Sequence, residues 1–415
     1  MIDVAIIGGG AAGFFAAINI QQKHPRWRVV IFEKSATLLG KVKVSGGGRC
    51  NVTHACYDPT ELVRYYPRGQ RELLSVFKRF SPPDTLRWFE KRGVKIKAES
   101  DGRMFPVTDN SETIIHCFLN ECRQSGVVIK TREGIKQISK QDTIFQIQTE
   151  ADNYKARFIV ATPGSSDVFW QMLSGLGHTI VPPVPSLFTF NIQHALIEGL
   201  QGVSLPDTTI KALLPDEVLR NNGLRQGLFQ NGPLLFTHWG LSGPAVLKLS
   251  SVGARAMNAM QYRFEIAINF CGKWRTDEVV EKLLQMKQGQ AKKQIGNAVP
   301  FDMPQRFWQR LLEFTKQNSE MTWADISGND CRKLATALTD LRLKVNGKST
   351  FKEEFVTAGG VSLKEVDFKT MESKIIPGLY LAGEVLDIDA LTGGFNFQAA
   401  WSEAWVISES LPSNE

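Results

Sequence analysis

The chain has 415 residues, of which 43% are hydrophobic and 22% charged, and it carries a formal net charge of +7. That length exceeds one ordinary core and predicts two or three domains; the composition excludes disordered and fibrous classes, and the basic excess admits an anionic partner without specifying one. The six cysteines form no C-x-x-C pair and no framework of short spacings, and no apolar run is long enough to span a bilayer, so reduced thiols, a cytoplasmic location and no stable membrane association are expected.

The first elements are a short apolar strand over Val4–Ile7, a glycine turn, a helix, and a second strand in "RVVIFEK". Gly8, Gly10 and Gly13 fit G-x-G-x-x-G, and Glu33 lies twenty residues beyond the last of them. Gly8 permits the tight turn, Gly10 lets backbone N–H groups approach a pyrophosphate, and Gly13 lets helix and strand pack closely. The helix N-terminus adds partial positive charge. Glu33 suits ribose hydroxyls and repels a 2′-phosphate, which favours NAD or FAD over NADP. The contacts expected here are Gly8, Gly10, Ala11, Ala12, Gly13, Glu33 and Lys34.

Next comes "KVKVSGGGRCN", Lys41–Asn51, which admits three readings: a phosphate cradle, a thiol held against a cofactor, or a plain turn. Ten Lys or Arg against three Asp or Glu follow between Arg64 and Lys97, and fourteen against nine between Lys273 and Lys348. A solvated face is the blander reading of both stretches, and binding of nucleic acid or anionic lipid the sharper one. "ARFIVATPG", Ala156–Gly164, is a strand ending in a crossing that suits a nucleotide site, so Ala161, Thr162 and Gly164 join the expected contacts, with Ile135.

Residues 185–272 alternate in short apolar runs broken by Gly and Pro, a β-domain pattern, with a short helix starting at Ser242-Gly243-Pro244. From Thr276 to about Asp340 the spacing turns helical. "LRLKVNGKSTFKEEFVTAGG" then returns to strands, with a turn at Asn346-Gly347. No second G-x-G-x-x-G occurs, so NADH or NADPH, if it is the electron donor, docks transiently.

The C-terminal region holds a strand over Gly378–Ala382, then Gly383-Glu384, then Gly393-Gly394-Phe395-Asn396, then an apolar helix. Glu384 can bond ribityl hydroxyls, and the helix opened by Gly394, Phe395 and Asn396 can face the flavin O2. Asp387 and Asp389 have no His or Cys nearby, and no metal is assigned. A nucleotide site completed by both chain ends favours FAD. With FAD in place the Lys41–Asn51 loop becomes a cradle for it, with Lys41, Ser45, Gly46, Gly47, Arg49, Cys50 and Asn51 as contacts, while a metal drops out for lack of ligands. Candidate proton donors are Cys50, whose thiol Arg49 could acidify, and His238 in the β-domain.

"IIGGGAAGFFAA", "SGGGRCN", "GRMFPVT", "LLFTHWGLSGPAVLKLS" and "TGGFNFQAAW" together resemble the BaiN/RdsA family of NAD(P)/FAD-dependent oxidoreductases, also described as aminoacetone-oxidase-like flavoproteins. The chain departs from the family at Pro163 and in the shorter "PGSSDVFWQMLSGLGH". The expected fold is α/β: a discontinuous Rossmann-like, glutathione-reductase-like FAD-binding domain over 1–184 and 350–415, a β-rich domain over 185–272 and 341–349, and a helical insertion over 273–340. Three functions are open. One is an FAD-dependent reductase passing hydride to an activated C=C or C=N bond, of a small molecule or of a uridine in ribosomal RNA. The others are an amine oxidase, as the resemblance implies, and a non-catalytic flavin-bearing RNA-binding protein.

Overall fold

A computed structural model describes residues 1–349 and 356–412; the strand expected through 350–355 lies outside them. The chain divides into two units, Met1–Val184 with Lys352–Glu415, and Pro185–Phe351.

The first unit is a doubly wound sheet. Its parallel core comprises β1 (Ile2–Ile7), β2 (Val29–Glu33), β3 (Val128–Thr131), β4 (Asn153–Ala161) and β5 (Leu379–Leu381). These strands stand in the order β5-β4-β1-β2-β3, with Glu372–Ser373 and Val366–Asp367 continuing beyond β5. A hairpin of Ile135–Gln141 and Ile144–Thr149 adds antiparallel to β4. From β1 the chain runs outward through β2 to β3, then returns to the other side of β1 for β4 and β5. That reversal is a topological switch point, where doubly wound sheets open a crevice at the strands' carboxyl ends.

Val4, Ala5 and Ile6 of β1, the strand paired with β2 on one side and β4 on the other, are fully buried, as the central strand of a covered parallel sheet is. Helix α1 (Ala11–Lys23) is buried along nearly its whole length, as is the terminal helix, Phe395–Ser410. Their aromatic residues meet: the rings of Phe15 and Trp401 are 5.3 Å apart, and Trp88 lies 4.6 Å from Phe15. The expected α/β fold with an FAD-type Rossmann unit built from both chain ends is present.

The second unit contains a seven-stranded sheet in the order Leu341–Val345, Phe264–Asn269, Ser204–Leu213, Leu228–Phe236, Gly240–Ser242, Thr189–Asn191, Lys348–Ser349. Its strands alternate buried and exposed residues, as a half-solvated antiparallel sheet does. Helices Thr276–Gly289, Gln305–Phe314 and Gly328–Thr339 share its apolar core. The helix Pro244–Val252 begins with proline at its first turn. Asn346-Gly347 is not a hairpin turn. The strands on either side of it stand at opposite ends of the sheet order, and Asn346 N–H instead donates to the Asn191 carbonyl at 2.9 Å.

Candidate functional site

Ile7 of β1 pairs with Ala161 of β4, and Ala161 with Leu381 of β5, so Gly8, Thr162 and Gly383 are carried to one edge of the sheet. Gly8 has φ of 109°, and a Cβ there would stand 2.2 Å from the Thr162 carbonyl oxygen. At Gly13 a Cβ would stand 2.1 Å from the Gly8 carbonyl oxygen, while at Gly10 nothing lies within 4 Å. Gly8 and Gly13 are thus demanded by the protein's own packing. Gly10 borders open space at the first turn of α1, which no side chain caps.

Glu33 braces this turn. Its Oε2 accepts from Gly9 N–H at 2.8 Å, and its Oε1 accepts from the N–H and the hydroxyl of Ser35 at 2.9 Å each. Oε2 retains a lone pair for a further donor. Lys34 beside it is exposed, and Ile135 is buried at the start of the hairpin.

The helix α2 (Gly40–Gly48) is broken at Ser45, and Gly46, Gly47 and Gly48 are all left-handed. The Ser45 hydroxyl donates to the Val42 carbonyl at 3.0 Å, and the Ser45 carbonyl accepts from Cys50 N–H at 2.9 Å. Asn51 Oδ1 accepts from Met104 N–H at 3.3 Å. A Cβ on Gly394 would stand 2.8 Å from that same Oδ1 and 2.5 Å from the Thr53 carbonyl oxygen. The early glycine loop and the start of α3 (Phe395–Ser410) therefore touch. Lys41 and Glu384 bind each other as an ion pair across the same seam.

The expectation that Arg49 acidifies Cys50 is overturned. Arg49 Nη1 lies 2.6 Å from Glu99 Oε1 and 3.5 Å from Asp109 Oδ1, and the guanidinium stacks 3.8 Å above the Phe105 ring. Its charge is engaged there. Cys50 is fully buried with φ of 62°, and burial pushes its thiol up to about 12, a hydrogen bond with Ser45 offsetting only part.

The remaining expected contacts sit as follows. The Thr162 hydroxyl donates to the carbonyls of Ile7 and Gly8 at 3.1 and 3.2 Å. Phe395 is buried in a stack, 4.2 Å from Tyr65 and 4.5 Å from His54. Asn396 clamps its own loop, accepting from Ala390 N–H at 3.0 Å and donating to the Ala390 carbonyl at 3.3 Å. Asp389 is held by the guanidinium of Arg68. His238 belongs to the second unit, exposed on the tip between strands Leu228–Phe236 and Gly240–Ser242, beside the 61% exposed Trp239. Thr237 N–H donates to the Gly240 carbonyl at 2.9 Å and pins that tip.

The family described as "HI0933-like protein Rossmann domain" matches residues 2–410. The chain belongs to this family. As an HI0933-like protein it is an FAD-dependent oxidoreductase. It is similar to the ribosomal RNA dihydrouridine synthase of Escherichia coli (strain K12), 29% identical over 99% of this chain and 98% of that one. It is also similar to the 3-dehydro-bile acid delta(4,6)-reductase of Clostridium scindens, 25% identical over 99% of each. Among solved structures, 3-ketosteroid-delta4-(5alpha)-dehydrogenase from Rhodococcus jostii RHA1 shares the fold, with a TM-score of 0.50 over 99% of this chain and 97% of that chain at 11% identity. No helix among the described residues is long and apolar enough to cross a membrane.

One residue of this HI0933-like protein escapes motif reasoning. Glu403, in α3, is fully buried, and its Oε2 accepts from Gly383 N–H at 2.6 Å. Burial pushes its carboxyl up to about 8, the Gly383 bond opposing in part. The sequence signal is an acid inside the apolar run "AAWSEAWVI", which no fingerprint includes.

Proposed function

We propose that this HI0933-like protein holds FAD along the carboxyl edge of its parallel sheet and reduces a carbon–carbon double bond conjugated to a carbonyl, with uridine in ribosomal RNA as substrate. The observation that carries this reading is that two relatives aligned over nearly their whole length are named for reductions: one forms dihydrouridine in ribosomal RNA, the other is a delta(4,6)-reductase. A redox step common to so large and so small a substrate belongs to the shared cofactor site, and the difference between them belongs to what reaches it.

FAD, when bound, supplies the hydride that such a reduction needs. This chain's residues do the holding. Backbone N–H groups of Gly10, Ala11, Ala12 and Gly13 would face the pyrophosphate beside Gly8, and the free lone pair of Glu33 would take a ribose hydroxyl, flanked by Lys34 and Ile135. Ala161, Thr162 and Gly164 would form the floor. Lys41 with the Ser45–Asn51 loop, and Gly383 with Glu384, would line the two sides. The uncapped first turn of α3, at Gly394, Phe395 and Asn396, would set its N–H dipoles where negative charge gathers. Of the two side chains expected to move a proton, Cys50 is closed off by burial, and His238 is exposed.

The first basic stretch is thinner than its composition: Arg64, Arg68, Arg87, Arg92 and Lys97 are paired with acids. Arg71, Lys78, Lys91 and Lys95 have no ion-pair partner among the described residues and would meet RNA phosphates. NADH or NADPH is the proposed electron donor.

The test is anaerobic reduction of FAD-loaded protein by NADH or NADPH, followed by mixing with unmodified ribosomal RNA, with an enone or with oxygen. Ribosomal RNA is expected to reoxidise the flavin far faster than oxygen does, with dihydrouridine as product. A flavin that stays reduced with RNA, or peroxide release from the oxidised holoprotein with small amines, would overturn the reading.

A further inference from the structure

Glu403 stands about two turns along α3 from the residues that open that helix. It is fully buried; one carboxyl oxygen accepts from Gly383 N–H at 2.6 Å, and the other, Oε1, has no hydrogen-bond partner. Gly383 itself is left-handed, with φ of 79°, and its carbonyl accepts from Leu386 N–H at 3.1 Å, so it is the pivot of the turn that carries Glu384. Tyr66, which is buried, donates its hydroxyl to the Phe395 carbonyl at 2.5 Å, so the opening of the helix that carries Glu403 is itself held in the core.

We infer that Glu403 is a positioning residue for the cofactor: through Gly383 N–H it ties the turn bearing Glu384 to the helix bearing Phe395 and Asn396, so that two segments of the flavin site form one rigid piece. This rests on the reading that the sheet edge holds FAD. An ionised carboxylate with a single N–H partner and a bare second oxygen would be costly in this surrounding, and the neutral acid avoids that cost. The raised carboxyl agrees, since a group pushed up to about 8 is mostly protonated at neutral pH. The work is therefore done by a carbonyl-type acceptor and not by a charge. Without that acceptor, the partly buried N–H at the pivot loses its partner and the turn is released.

The experiment is FAD titration of the apoprotein for wild type, Glu403→Ala and Glu403→Gln, followed by flavin fluorescence. Glu403→Ala is expected to raise the FAD Kd by about tenfold. Glu403→Gln keeps a carbonyl for Gly383 N–H and is expected to stay within about threefold of wild type. Equal affinity of wild type and the alanine variant overturns the inference, as does an equal loss in both variants, which would assign the role to charge. If the alanine variant does not fold, hydrogen exchange at the Gly383 amide decides: it is expected to be slow in wild type and Glu403→Gln, and fast exchange in wild type overturns the inference. A wild-type chain that takes up no FAD is a different outcome, because it removes the reading of the site as well.

Discussion

At Gly13 a methyl group would stand 2.1 Å from a backbone oxygen, while at Gly10 it would meet nothing within 4 Å, although both belong to one fingerprint. The two positions therefore separate the needs of the fold from those of the ligand. Gly13→Ala should destabilise the apoprotein by about 2 kcal/mol in urea unfolding, because the overlap is with backbone that cannot turn away. Gly10 has φ of −98°, which alanine adopts freely, so Gly10→Ala should leave apoprotein stability within about 0.5 kcal/mol and still weaken FAD binding by about tenfold or more. Loss of stability in Gly10→Ala would remove the distinction. Cys50 offers a second contrast. With its thiol pushed up to about 12 and no exposure, it should resist iodoacetamide at pH 8 in the native protein, while the partly exposed Cys56 reacts first. Mass spectrometry after a short pulse would show the order, and early labelling of Cys50 would restore it as a candidate acid.

Between elements, the bonds that matter join residues far apart in the chain. His178, buried after the helix Asp167–Gly175, places Nε2 2.9 Å from Ser373 Oγ and Nδ1 3.1 Å from Glu365 Oε2. Ser373 Oγ already accepts from the N–H groups of Ile375 and Ile376, so its proton goes to Nε2 and the Nδ1–H donates to Glu365. Burial alone would raise the Glu365 carboxyl, but bonds from Thr179 and His178 outweigh it and hold it below the usual range. A carboxyl lowered in the folded state contributes stability above its unfolded value, and that contribution disappears as pH falls through the folded one. Glu365→Gln should thus cost about 1 kcal/mol at pH 7, with the gap to wild type closing below roughly pH 4; a gap constant with pH would show the charge to be irrelevant. None of this was legible in the sequence. Periodicity and glycine spacing report what a segment does locally, and they placed β1, α1, β2, β4, β5 and the opening of α3. They do not report which remote groups meet, so the His178–Ser373 and Glu403–Gly383 bonds lay beyond them, and Asn346-Gly347, which has the composition of a hairpin turn, instead links strands at opposite ends of a sheet.

For the whole molecule, the return of the chain to its starting unit makes ligand binding a statement about connectivity. The strand β5 pairs with β4, and the turn after it faces the glycine turn after β1, so every proposed FAD contact falls within Met1–Val184 or Lys352–Glu415. A ligand that binds only the folded state adds RT ln(1 + [L]/Kd), about 2.7 kcal/mol at a hundredfold excess over Kd, to whatever unfolds cooperatively with its site. Hydrogen exchange with and without FAD should then slow in peptides spanning Gly8–Gly13, Lys41–Asn51, Ala161–Gly164 and Gly383–Asn396 together, because segments from both chain ends form one sheet edge and must open together to release the ligand. Strands Ser204–Leu213 and Phe264–Asn269 of the second unit should change much less. Protection confined to the N-terminal segments would mean that the nucleotide is held by the first βαβ element alone. In that case Glu384 and the opening of α3 would be structural, and the discontinuity of the fold would have no part in holding the cofactor.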